Sequence, residues 1–222
     1  MAYAEAYALQ VELAARCHRG AIEHDLFLAV EHPPVFTLGR RGGREHLGVS
    51  EAFLKSRSIG LVPIERGGEI TYHGPGQLVL YPILNLRRAR LTVRDYVDRL
   101  EEIMLRLAAD FGVIAGRDGR NHGIWVGNYK LGSIGIAIRH AITFHGLALN
   151  VNTDLEPFGW INPCGLRDIG MTSLAQERGA DCAMAAVQSR LPYHLAQVFG
   201  VAVQTLAATA LLAPSSFANT LP

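Results

Sequence analysis

Residues 66–77 read Arg-Gly-Gly-Glu-Ile-Thr-Tyr-His-Gly-Pro-Gly-Gln, so four glycines and a proline bracket a five-residue β-prone run. Glycines on both sides let backbone pass close to another group and leave N–H groups open to a ligand. In a strand over 69–73, Glu69, Thr71 and His73 point one way and Ile70 and Tyr72 the other. A ligand-facing polar strand fits this pattern, as does a tight loop between two strands. No Gly-Lys-Ser/Thr follows, and the segment opens no helix, so neither a P-loop nor a dinucleotide fingerprint is present.

The pattern around this segment is mixed. Helical spacing predicts a first helix over 2–18, stopping near Gly20. Extended pieces are expected at 25–31 and 35–38, and Gly39–Arg44 reads as a basic, flexible loop. Ser50 can cap a short helix to about Arg57. Residues 59–65 look extended, and 78–86 form a buried strand whose Pro82 favours a bulge or an edge. Thr92 starts an amphipathic helix with Val93, Tyr96, Val97, Leu100, Ile103, Met104, Leu107 and Phe111 on one face. From Gly123 the chain turns to β: a hairpin about Gly127-Asn128, then strands over 133–139 and 143–152 joined at His140-Ala141. After a loop rich in Asn, Pro and Gly at 152–170, helices begin near Thr172 and Asp181. The expectation is an α+β (mixed α/β) fold: one domain over 1–222, with a mixed, mainly antiparallel sheet flanked by helices.

Composition narrows the function classes. Lys+Arg 21 against Asp+Glu 20 leaves a net charge of +1, which supplies no general attraction to nucleic acid or to an anionic membrane. With 49% hydrophobic residues the chain is not a disordered one. Three cysteines, no basic-then-apolar leader and no apolar run approaching 20 residues point to a soluble, cytoplasmic protein. Neither Cys-x-x-Cys nor His-Glu-x-x-His occurs, so no metal is expected.

Two residues could carry chemistry. Cys164 sits between Pro163 and Gly165, on a turn able to present a thiol to a pocket, although a free cysteine also serves as a small buried hydrophobe. Of 21 basic residues only Lys55 and Lys130 are lysine, and Lys130 falls in an otherwise apolar β region. It could pair with a carboxylate at the sheet rim. Beside a thiol, it could stabilise the thiolate and move its proton, which an arginine cannot do. His73 and His145 each stand next to a glycine on a predicted strand and are candidate polar groups for the same site.

The segment 66–77 with the following Leu-Val-Leu-Tyr-Pro82 resembles the signature of the lipoyl(octanoyl) transferases, relatives of the biotin and lipoate protein ligases. The likeness continues in order through Glu31–Gly39, Lys130–Gly135, Phe144–Val151 and Ile161–Gly165, about residues 25 to 175. The resemblance implies the ligase catalytic-domain fold and a cofactor-free acyltransferase. An octanoyl group would pass from octanoyl-acyl carrier protein to Cys164 as a thioester, then to a lysine of apo lipoyl domains. Those acceptors would be the E2 subunits of 2-oxoacid dehydrogenases and the glycine cleavage H protein. By the same resemblance Lys130 lowers the cysteine pKa and acts as acid and base. Arg66, Gly67, Gly68, Glu69, Ile70, Thr71, Tyr72 and His73 would bind the acyl group, with Ser133, Ile134 and Gly135, and with His145, Gly146, Leu147 and Ala148. Leu131-Gly132 stands where Ile-Ala is more usual, a change that leaves the lysine in place. The alternatives are an ATP-dependent lipoate or biotin ligase of the same fold and a non-catalytic lipoyl-domain-binding module. Two arginine clusters, Arg40, Arg41 and Arg44 or Arg87, Arg88 and Arg90, could dock an acidic carrier protein.

Overall fold

The computed structural model describes residues 1–162 and 170–206. Its helices are α1 (Tyr3–His18), α2 (Glu51–Ser56), α3 (Val93–Asp110), α4 (Leu174–Arg178) and α5 (Met184–Phe199). Its strands are β1 (Leu26–Val30), β2 (Val35–Leu38), β3 (Gly60–Pro63), β4 (Ile70–His73), β5 (Gln77–Ile83), β6 (Gly123–Val126), β7 (Tyr129–Arg139), β8 (Ile142–Asn150) and β9 (Gly170–Met171).

The strands divide into two sheets. The larger runs β1-β5-β8-β7-β6 antiparallel, with β9 added parallel to β7; the smaller runs β3-β2-β4. One face of the large sheet buries Leu78, Leu80, Leu147 and Leu149 against α3 and α5, through Leu100, Ile103, Leu107 and Leu191. The other face buries Val79, Tyr81 and Ile83 against α1. The small sheet has its own core of Phe36, Ile70, Tyr72 and Phe158. Helices on both faces of one antiparallel sheet fulfil the expected α+β class, and the second sheet is the addition.

Local chemistry explains most boundaries. Thr92 accepts from the Asp95 N–H at 3.1 Å while Asp95 accepts from the Thr92 N–H at 2.9 Å, a reciprocal cap that fixes the start of α3. Ser50 caps α2 one way only, accepting from the Phe53 N–H at 3.1 Å. His140 and Ala141 take positive φ of 52° and 65°, the two-residue turn that suits the twist of the β7–β8 hairpin.

Four expectations need correction. Residues 129–139 form one continuous strand rather than a hairpin arm and a separate strand, because Gly132 pairs with β6 and β8 alike. Val93, in the first turn of α3, is 50% exposed, and its place on the buried face goes unused. The Gly39–Arg44 loop is tied down: the N–H groups of Gly39, Arg40 and Arg41 donate to the carbonyls of Glu69, Arg66 and Gly68.

Pro82 lies neither at an edge nor in a bulge, since β5 is flanked by β1 and β8. Its missing donor is absorbed where the ladder to β8 opens. Leu80–Leu147 and Asn85–Ile142 keep one register, which sets Pro82 across from His145. There His145 has φ +56°, and its N–H donates instead to Gln10 Oε1 of α1 at 2.7 Å.

Candidate active site

A cleft of about 900 Å³, counted with its open mouth, lies between the two sheets. Its floor is the β7–β8 pair, where Ser133, Ile134 and Gly135 stand against Ala148, Leu147 and Gly146 in register. Its wall is the segment leading into β4, from Arg66 through Gly68, Glu69, Ile70 and Thr71 to His73. Lys130 lines one end, with Trp125, Asn121 and Met171; His145, Tyr3 and Tyr81 line the cleft as well. Gly67 and Tyr72 do not line it. The Gly67 N–H donates to the Ile136 carbonyl at 2.8 Å, joining the wall to β7, and Tyr72 packs against Phe36 and Phe158.

Arg66 is buried and holds the wall in place. Its Nη2 donates to the Thr37 carbonyl at 2.7 Å and to Thr37 Oγ1 at 2.9 Å. A Cβ on Gly135 would come within 2.8 Å of Arg66 Cδ, so the glycine makes room for the arginine stem. The alternation read from the sequence holds for the polar side: Glu69, Thr71 and His73 all face the cleft.

His73 is fully enclosed, and burial pushes its pKa down to about 3, leaving a neutral imidazole. Its Nδ1 meets Gln77 Oε1 at 2.7 Å. Because Gln77 Nε2 donates to Asn150 Oδ1 at 2.9 Å, Oε1 is the acceptor and His73 carries its proton on Nδ1. Asn150 Nδ2 donates on to the Thr172 carbonyl at 2.9 Å, and the Thr172 N–H donates to the Lys130 carbonyl at 3.0 Å. One chain of hydrogen bonds therefore ties the wall to the backbone that carries Lys130.

Lys130 is only 8% exposed, with Nζ 5.2 Å from the centre of the Trp125 ring. Its stem passes over Gly123, whose φ of +132° and missing side chain leave the space. Glu101 of α3, itself buried, accepts from the Gly123 N–H at 3.0 Å and from Arg117 Nε at 3.0 Å, anchoring that turn.

Cys164 lies outside the described residues. The chain before it is held at Asn162, whose N–H donates to the His46 carbonyl at 2.8 Å. The chain after it returns at Gly170–Met171, in register with Tyr129–Lys130. The other two cysteines are buried, Cys17 on the inner face of α1 and Cys182 against Arg178 Nη1 at 2.9 Å.

The residues that sequence reasoning missed come from distant parts of the chain. Tyr3 of α1 and Tyr81 of β5 enter the cleft, and Tyr3 stacks on His73 with ring centres 6.0 Å apart. Tyr7 donates to both Glu65 oxygens at 2.8 and 2.7 Å behind His145. No spacing signal links these positions, since their neighbours belong to other elements.

Residues 2–196 match the lipoyl protein ligase A/B catalytic domain. An octanoyltransferase of Desulfotalea psychrophila is 57% identical over 200 residues, covering 89% of this chain and 90% of that protein. One from Syntrophobacter fumaroxidans is 46% identical, covering 79% and 77%. Among solved structures, lipoate-protein ligase A bound with ATP superposes with a TM-score of 0.70 at 16% identity, over 91% of this chain and 85% of that one. At that identity the likeness speaks to the fold.

Proposed function

The chain belongs to the lipoyl protein ligase A/B catalytic-domain family, and on that premise we propose that it is an octanoyltransferase acting in protein lipoylation. The donor is octanoyl-acyl carrier protein, and the acyl group rests on Cys164 as a thioester. The acceptors are apo lipoyl domains, those of 2-oxoacid dehydrogenase E2 subunits and the glycine cleavage H protein. Residues 1–222 act as one catalytic domain, in the cytoplasm.

The observation that carries this reading is a buried lysine at one end of a cleft floored by small and apolar groups, Gly135, Gly146 and Ala148 with Val79 of β5. An alkyl chain gains by leaving water for such a floor, at roughly 0.8 kcal/mol per methylene. The register of Met171 with Lys130 supports pairing Lys130 with the preceding Cys164 segment.

In the first half-reaction the Cys164 thiolate attacks the thioester carbonyl while Lys130 holds the proton. The tetrahedral intermediate expels the carrier thiolate, which takes that proton. In the second half the acceptor lysine attacks the acyl-enzyme, neutral Lys130 removes its proton, and Cys164 departs as thiolate. Thioester exchange is nearly balanced and amide formation runs downhill, so no nucleotide is consumed. Splitting the transfer this way gives ping-pong kinetics. Arg66 to His73, Ser133 to Gly135, and His145 to Ala148 hold the acyl chain, Gly67 and Tyr72 by shaping the wall from behind.

The test is the intact mass of the purified chain after incubation with octanoyl-carrier protein and no nucleotide, with peptide mapping. One octanoyl group on Cys164 is expected. An unmodified protein that labels its substrate only with ATP and free acid would overturn the reading in favour of a ligase.

A further inference from the structure

We propose that His145, with Tyr3, Tyr7 and Glu65 around it, gauges acyl-chain length by closing the cleft end remote from Lys130. The proposal rests on the octanoyltransferase reading and adds to it which residues select the substrate.

Distance along the floor comes first. On β7, Lys130 lies beside Met171, and the register then runs Ser133–Ala148, Ile134–Leu147, Gly135–Gly146, Ile136–His145. At about 3.3 Å per residue, the three steps from Ser133 to Ile136 cover roughly 10 Å. An extended eight-carbon acyl chain, with C–C bonds of about 1.5 Å, is roughly 9 Å long. The Lys130 stem reaches Gly123, which pairs with Ser133, so a chain that starts at this level and runs along β7 ends at His145.

The lining changes character there. Gly135, Gly146 and Ala148 give way to His145 and Tyr3, both buried, with Tyr3 Oη 3.5 Å from His145 Nδ1. Behind them Glu65 accepts both bonds from Tyr7, and the Tyr7 ring stacks on His145 at 5.8 Å and 9°. His145 Nε2 makes no hydrogen bond and stands 3.7 Å from Glu65 Oε2. A further methylene would have to enter this polar group and part His145 from Tyr3, both too buried to recover the contact from water. A terminal methyl can stop against it, because burial lowers the His145 pKa to about 4 and keeps the ring uncharged.

The backbone shows that the ring is held deliberately. A histidine at φ +56° is strained, and such strain persists only where surroundings over-determine it. Here the Gln10 side chain takes the His145 N–H, and the Pro82 carbonyl opposite accepts from Thr143 Oγ1 at 2.8 Å instead.

The experiment times acylation of Cys164, by intact mass, from carrier proteins bearing hexanoyl, octanoyl, decanoyl and dodecanoyl groups. The native chain should favour octanoyl over decanoyl by about tenfold or more, the usual range for one or two methylenes at a closed pocket. His145→Ala and Tyr3→Ala should raise the decanoyl-to-octanoyl ratio about tenfold. Tyr7→Phe, which keeps the ring stack and releases Glu65, should raise it less; this milder change decides the matter if the alanine variants do not fold. Native chain-length ranking in folded variants, or no octanoyl preference in the native chain, would overturn the gauge and leave the transferase reading standing. No acylation from any carrier would overturn that reading and the gauge with it.

Discussion

Gly123 lies under the stem of Lys130: a Cβ there would come within 2.9 Å of Lys130 Cε and would also collide with the Gly132 carbonyl. The lysine side chain occupies space that only a glycine at φ +132° can leave. Gly123→Ala should cost about 1–3 kcal/mol of stability, the usual range for forcing an L-residue into that region. It should also slow acyl transfer at temperatures where the protein remains folded. Urea unfolding and single-turnover transfer check both, and full activity in a folded Gly123→Ala protein would separate Lys130 placement from catalysis.

Lys130→Arg keeps the positive charge beside Trp125 but supplies a group that does not give up its proton. Transfer should fall by about 10²–10⁴-fold, the range for a lost general acid–base. Cys164→Ala should abolish the acyl-enzyme altogether. A Lys130→Arg protein that turns over normally would remove proton transfer by this residue from the mechanism.

Acid should weaken the fold through its buried histidines. Burial lowers the pKa of His32, His73 and His145, the last two to about 3 and about 4. Their stabilising contribution is complete above the unfolded value of about 6.5 and is lost as pH falls toward the folded values. Each histidine then costs about 1.4 kcal/mol per pH unit, because the unfolded chain binds a proton that the native one refuses. Glu65, whose carboxyl is held below its ordinary range with Tyr7 donating to it, adds its own loss only below about pH 4.5. Urea titrations between pH 7 and 5 should show two to three protons taken up on unfolding, and His73→Gln should remove about one. A flat profile would contradict the burial.

The two arginine clusters are no longer equivalent. Arg41 lines the cleft, and its neighbours are stapled to the wall, whereas Arg88 is ion-paired with Asp25 in a different part of the fold. Neutralising Arg40, Arg41 and Arg44 should raise KM for the carrier-protein substrate and flatten its salt dependence. Neutralising Arg87 and Arg90 should change neither. Equal effects from both sets, read from KM at two salt concentrations, would rule out the cleft-side cluster as the docking face.

Much of the fold was legible because its signals are local. The α3 stripe, the Thr92–Asp95 cap and the alternation over Glu69–His73 each depend on residues within a few positions of one another. What escaped was long-range. Glu101 reads as one more surface carboxylate of an amphipathic helix, yet it is 4% exposed, because its partners Gly123 and Arg117 arrive from outside the helix. Pro82 signals an edge by its missing donor, and only the positive φ of His145 across from it lets the proline sit inside the sheet. In the site, the glycine-rich wall and Lys130 were visible as sequence, while Tyr3 and Tyr81 belong to it only through packing.

The hydrogen bond from His145 to Gln10 spans 135 residues. On a ribosome, α1 emerges before β5, whose Val79, Tyr81 and Ile83 cover it, and β8 with His145 follows the helix by more than a hundred residues. The amphipathic helix must therefore wait with its apolar stripe uncovered, and closing so long a loop is a slow, late event in folding. The remote wall of the cleft would be finished last. A nascent or partly refolded chain could then own a complete β7–β8 floor and still lack any means of telling one acyl length from another.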